Sequence, residues 1–151
     1  MLTSAPDTLT LLLQRAEDER DAAAQLLHGA RAQADAARTQ HGQLTGYRQD
    51  YQQRWTQTFT QTATMDIVGC YRSFGQRLDQ AIDAQGRAAD HADQRQARAR
   101  DALREAELRV TALRQLIQRR QAEADKITQR REQRASDEFA ARAHLRRTAH
   151  A

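Results

Sequence analysis

Apolar residues recur through the first third of the chain at spacings of three and four: Leu9, Leu12, Ala16, Ala23, Leu26, Ala30, Ala37, Leu44, Tyr47 and Tyr51. This is the heptad signature of a helix with one apolar seam. Glu19, Gln33 and Gln40 interrupt it. Polar residues at seam positions weaken a coil while fixing its register. Between Thr56 and Asp66 the pattern lapses, and Thr56, Thr58, Thr60, Thr62 and Thr64 are β-branched, poor helix formers. The spacing then resumes with Ile67, Tyr71, Phe74, Leu78, Ala81, Gln85, Ala88, Ala92, Ala99, Ala102 and Ala106, and shifts by about one position to Val110, Leu113 and Ile117.

The pattern predicts helix 1 over about 7–58, a turn over about 59–66 and helix 2 over about 66–145, as one domain, 1–151. Pro6 with Asp7 or Thr8 marks the entry to helix 1, and Thr64 or Asp66 caps helix 2. A turn centred near residue 63 pairs position i with about 126 − i. Leu9 then meets Ile117, Leu13 meets Leu113, Tyr51 meets Phe74 and Trp55 meets Tyr71, with Ala against Ala between. The expected fold is all-α: a long two-helix antiparallel coiled-coil hairpin in which helix 2 extends past helix 1.

Composition supports a thin seam over a thick core. Only 39% of residues are hydrophobic, many of them Ala, and the aromatics are three Phe, three Tyr and one Trp. That is too little to fill the centre of a globule of this size. Six Gly and one Pro leave few turn signals. Cys70 is the only cysteine, so no internal disulfide forms; it reads as a small apolar residue. No segment approaches the roughly 20 apolar residues that span a bilayer, and no signal-peptide pattern opens the chain. A cytoplasmic protein is expected.

The net charge of +4 is unevenly placed. Residues 1–117 hold 15 Arg and 15 acids, whereas residues 118–151 hold nine Lys or Arg and five acids. The excess sits on Arg119, Arg120, Lys126, Arg130, Arg131, Arg134, Arg142, Arg146 and Arg147, which suits an acidic partner surface. Acids are interleaved there and stacking aromatics are nearly absent, which argues against nucleic acid. No phosphate-binding GxxxxGK[ST] loop occurs, and no two histidines stand at helical metal spacing. Acidic pairs such as Asp18/Glu19 read as solvated helix surface. The sequence therefore indicates no enzyme, no cofactor and no metal, and points to binding. A two-helix seam cannot bury both flanks of Tyr47, Tyr51, Trp55, Tyr71 and Phe74, and exposed aromatic flanks mark an interaction surface.

Three stretches carry a resemblance: Leu44-x-x-Tyr47-x-x-x-Tyr51, then Tyr71-x-x-Phe74-x-x-x-Leu78-x-x-Ala81-Ile82, and Asp137-Glu138-Phe139-Ala140-x-Arg142-Ala143. In order and spacing they resemble the FliJ family, the small coiled-coil components of the bacterial flagellar type III export apparatus. The resemblance covers nearly the whole chain. It implies a non-enzymatic stalk, similar to the central stalk of rotary ATPases. Such a stalk promotes assembly and activity of a hexameric export ATPase, contacts the export gate membrane protein, and engages export chaperones. The implied location is cytoplasmic, peripheral to the inner-membrane export apparatus. The implied gate contact maps onto Gln40, Leu44, Tyr47, Tyr51, Phe74, Leu78 and Ala81; Gln85 stands where some relatives carry His. The implied contact with the ATPase ring maps onto Leu9, Leu13, Leu113, Ile117, Arg130, Arg131, Phe139 and Arg142. Three other readings predict different partners: an injectisome stalk, a nucleic-acid-binding coil and a self-associating structural coil.

Overall fold

Ala, Leu, Arg and Gln dominate both long segments, and each loses little rotamer freedom in a helix. The computed structural model describes the backbone of residues 4–59 and 64–150, and the side chains of 8–58 and 64–150. Helix α1 spans Ser4–Phe59 and helix α2 spans Met65–Ala149. The helices are antiparallel, pack against each other, and α2 is the longer. Among the described residues there is no strand. Of the expected turn over 59–66, residues 60–63 lie outside the described residues.

Helix α1 begins at Ser4, so Pro6 falls inside its first turn, where a missing N–H costs nothing. At the start of α2, the Thr64 hydroxyl accepts a 3.4 Å hydrogen bond from the Ile67 N–H. The Thr64 carbonyl accepts one of 3.1 Å from the Val68 N–H. Thr64 is thus the cap, and Asp66 stands in the first turn, where its charge favours the helix N-terminus.

The chain divides into two units. The first joins residues 1–18 to 107–151; the second is 19–106 and contains the turn segment. In the second unit the buried and half-buried residues of α1 are Arg20, Ala23, Leu27, Ala30, Ala34, Ala37, His41, Leu44, Arg48, Tyr51 and Trp55, with Thr45 beside them. Those of α2 are Val68, Tyr71, Gly75, Leu78, Ile82, Gln85, Ala89, Ala92, Gln96, Ala99, Leu103 and Ala106, with Gly86 beside them. Steps of three and four alternate without a break in both main sets. Each of these seam positions of α1, paired with 126 − i, lands on one of α2, from Trp55 with Tyr71 to Arg20 with Ala106. The first unit obeys the same sum, with Leu9, Leu13 and Ala16 against Ile117, Leu113 and Val110.

The seam therefore differs from the one expected above, although the register does not. Leu12, Leu26, Tyr47, Ile67 and Phe74 are exposed, as are Ala81, Ala88 and Ala102. Each lies one position from a true seam residue. Glu19, Gln33 and Gln40 are exposed too, and the polar seam members are Arg20, His41, Arg48, Gln85 and Gln96. Nor does the stripe shift before Val110: Ala99, Leu103, Ala106, Val110, Leu113 and Ile117 continue one pattern. The physical reason is that the chain carries two adjacent apolar stripes. A mixture of both satisfies a loose count of threes and fours; only strict alternation separates them.

The core is narrow. Ala34, fully buried, and Ala92 stand at its centre, and among the described residues no large side chain is fully buried. The chain exposes 12,501 Å², against about 7,800 Å² for a globule of its 17.2 kDa mass. With so little area removed from water, hydrophobic stabilisation per residue is small.

Two glycines make room for polar seam residues. A Cβ on Gly75 would lie 3.2 Å from Nη2 of Arg48, and one on Gly86 would lie 3.3 Å from Nε2 of His41. Gly29, Gly42, Gly46 and Gly69 have nothing within 4 Å of such a Cβ. Gly42→Ala should therefore stabilise the fold by about 1 kcal/mol, the full difference in helix propensity. Gly75→Ala and Gly86→Ala should gain less or lose, because a neighbour must move. Urea unfolding of the three variants beside the parent checks this ranking.

Candidate functional site

Heptad geometry gives the second unit two unlike flanks. In an antiparallel pair, residues just before the seam positions 41, 48, 75 and 82 share one side. These are Gln40, Tyr47, Phe74 and Ala81. Residues just after 37, 78 and 92 share the other: Arg38, Asp79 and Asp93. On that second flank, Nη2 of Arg38 lies 2.9 Å from Asp93 Oδ1 and 3.4 Å from Gln96 Oε1. Arg48 reaches across the seam to the same flank and donates from Nε to Asp79 Oδ1 at 2.9 Å. The first unit repeats the device with Arg114 and Glu17 at 3.2 Å.

The aromatic cluster sits beside the turn segment. Trp55 stacks on Tyr71 with ring centroids 4.2 Å apart and planes 6° from parallel. Tyr71 stacks on Tyr51 at 5.0 Å and 16°. Phe74 then packs at 59° to Tyr51, with centroids 4.8 Å apart. Such pairs contribute about 0.5–1.5 kcal/mol each beyond their buried area. The stack locks the register beside the turn segment. Tyr47 and Phe74 remain 54% and 39% exposed, so the cluster presents apolar surface to solvent. The groove among Tyr51, Trp55, Ile67, Cys70, Tyr71 and Phe74 is open, not an enclosed cavity that excludes water. Among the described residues, no cluster of His, Cys, Asp and Glu is arranged to hold a metal ion.

Electrostatics sharpen the contrast. Arg48 holds its proton more tightly than usual, first through its hydrogen bond to Asp79 and then through Tyr71. Burial, followed by the neighbouring Tyr71 and Tyr47, pushes the Tyr51 hydroxyl above its ordinary value of 10.0.

A family model described as flagellar FliJ protein matches residues 6–149. The chain belongs to the FliJ family. Comparisons with curated proteins and with solved structures gave no match. Membership marks this FliJ-family chain as a component of the flagellar export apparatus. No described helix is long and apolar enough to cross a membrane.

The residues suggested for gate contact converge in the second unit. Gln40, Tyr47, Phe74 and Ala81 are the exposed members of the neutral flank, while Leu44, Tyr51 and Leu78 are the seam residues beside them. The Gln85 amide bridges the helices, donating to Gln40 Oε1 at 3.1 Å and to the Ala37 carbonyl at 3.4 Å. Leu26 and Ile67 lie on the same flank, outside the seam in which the sequence pattern places them. Counting strict sevens back from Phe74 and Tyr47 finds both.

The residues suggested for ring contact belong to the first unit but form two groups. Leu9, Leu13, Leu113 and Ile117 are half-buried seam. Arg130, Arg131, Phe139 and Arg142 are exposed on α2, beyond the last seam pair. Every residue from 118 to 142 is exposed. Gln121–Asp125 and Gln133–Asp137 hydrogen bonds, at 3.5 and 3.3 Å, run along that stretch.

Because Tyr51 ionises less readily when folded, its contribution is fully present below pH 10 and is lost as pH rises beyond it. The melting temperature should fall more steeply above pH 10 in the parent than in Tyr51→Phe. Parallel slopes in circular dichroism melts would show that the hydroxyl is not linked to folding.

Proposed function

We propose that this FliJ-family chain is a non-enzymatic stalk that activates a hexameric export ATPase through its first unit and contacts the export gate through its second. The observation that supports gate binding most directly is the flank asymmetry. The positions suggested by family resemblance coincide with the neutral, aromatic side, and cross-helix ion pairs occupy the other. Apolar surface free to lose water, rimmed by polar groups, is where binding energy concentrates. For the ring, the exposed stretch of α2 over 118–142 offers net positive charge and the exposed Phe139, a combination suited to an acidic lining with an apolar notch. Export chaperones are a third class of partner, with no residues assigned.

Tyr47 and Phe74 are the variants of choice for the gate. Both are exposed, whereas Leu78 is 8% exposed, and Leu78→Ala removes seam at roughly 2–5 kcal/mol. Tyr47→Ala with Phe74→Ala should keep helicity and weaken binding to the soluble domain of the gate by at least about tenfold, or 1.4 kcal/mol. An unchanged calorimetric titration would remove the gate from this flank.

ATP hydrolysis by the cognate export ATPase should rise on adding the full chain. Phe139→Ala with Arg142→Ala should lower that stimulation while leaving gate affinity intact. Stimulation equal to the parent's would take the ring contact away from this stretch.

A further inference from the structure

The outer face of α1 in the second unit lacks charge over a length that calls for explanation. Within residues 22–47 the only Asp, Glu, Lys or Arg side chains are Arg31, Asp35 and Arg38; the two histidines, His28 and His41, lie off this face, His41 in the seam. Heptad geometry puts all three charged residues on or toward the ion-pair flank, and Arg38 is engaged there with Asp93. The opposite side carries Leu26, Gln33, Gln40 and Tyr47 in one line at steps of seven, with Ala36 and other small residues alongside. All five of these named residues are exposed, Leu26 by 71%. In a chain with 29% charged residues, an ordinary solvated helix face of this length would carry several charges.

The line reads apolar, Gln, Gln, apolar in either direction. Reversed about the point between Ala36 and Ala37, Leu26 falls on Tyr47 and Gln33 falls on Gln40. A two-fold axis makes that pairing, because an isologous contact presents the same patch from both copies in opposite directions. We infer that this face of α1 is a self-association surface. Two copies meet α1 to antiparallel α1, with Leu26 of each beside Tyr47 of the other, the glutamines bonded in pairs, and the small residues near Ala36 on the axis. Small residues let the helix backbones approach closely, and neither copy brings a charge that the contact would strip of water.

The size of the strip sets the strength. From Leu26 to Tyr47 is about 32 Å of helix. One helix pair over that length buries less than the roughly 1,200 Å² of a standard stable interface. The dimer is therefore weak and concentration-dependent, with a dissociation constant in the range of about 10–500 µM.

Sedimentation equilibrium of the full chain across about 10–1,000 µM tests this. The expected mass climbs from the 17.2 kDa monomer toward twice that value. Leu26→Glu, at an exposed position, should remain monomeric throughout with unchanged helicity. Mixing Leu26→Glu with Tyr47→Lys should restore a mixed dimer, because the new charges meet across the antiparallel contact. With Cys70 replaced by Ser, Ala36→Cys should oxidise to a covalent dimer near the axis. A monomer at every concentration would overturn the inference and leave the face to a different occupant. Association that Leu26→Glu does not weaken would overturn it equally, by placing the contact elsewhere.

Discussion

Two sets of seam residues mesh in one register, position i with 126 − i, and the seam between them is built mostly of alanine. That combination constrains the rest of the molecule. Alanine lets the helix backbones come close but removes little apolar area from water. The helices thus hold together over many weak layers, each contributing a small amount. The few strong layers are specific: the Trp55–Tyr71–Tyr51 stack, and Arg48 fitted over Gly75 with its Nε on Asp79. A slip of one residue would lose all of these together and turn the seam side chains toward water. Register is fixed by the exceptions, whereas length is supplied by the repeats.

A narrow seam also decides what the flanks can do. In a thick core, residues next to the interface are covered by other elements. Here they stay at the surface, so a Leu or Tyr one position from the seam keeps much of its area in water. Placing ion pairs on one flank and neutral or aromatic residues on the other makes the two sides chemically distinct without any third element. The buried Nη1 of Arg48 has no hydrogen-bond partner, which shows the cost of carrying an arginine in such a seam. Leaving that donor unpaired lowers stability, while Gly75 leaves the guanidinium the space it occupies.

The helical architecture and its register were legible in the sequence because they rest on long-range regularity. Spacings of three and four identify the helices, and the position of the threonine-rich lapse sets the pairing sum. The seam's membership was harder to read, for a local reason. Leu26 and Leu27 are adjacent, so hydrophobicity cannot choose between them, and it prefers Tyr47 over its neighbour Arg48 and Phe74 over its neighbour Gly75. Burial follows geometry instead: Gly75 is buried because Arg48 needs its space, and Phe74 is left half outside. The same rule inverted the reading of Gln33 and Gln40, which interrupt an exposed stripe and not the core. For the candidate site, the aromatic residues were visible from composition, but the unlike flanks emerged only with the correct seam.

The first unit shows the other limit of this architecture. Beyond the pairing of Leu9 with Ile117, every residue of α2 from 118 to 142 is exposed, so packing adds almost nothing to the stability of that stretch. What remains is intrinsic propensity, favoured by Arg, Gln, Ala and Glu, and side-chain pairs four residues apart worth about 0.2–0.5 kcal/mol each. An isolated helix on those terms is marginal in water. Any partner that grips this stretch through Phe139 or the arginines must therefore also meet the cost of keeping it helical. Strong helix formers reduce that cost in advance, because less conformational entropy remains to be lost on binding. The composition of the stretch is thus a form of preorganisation: few large apolar groups, and residues that favour the helical form a partner would grip.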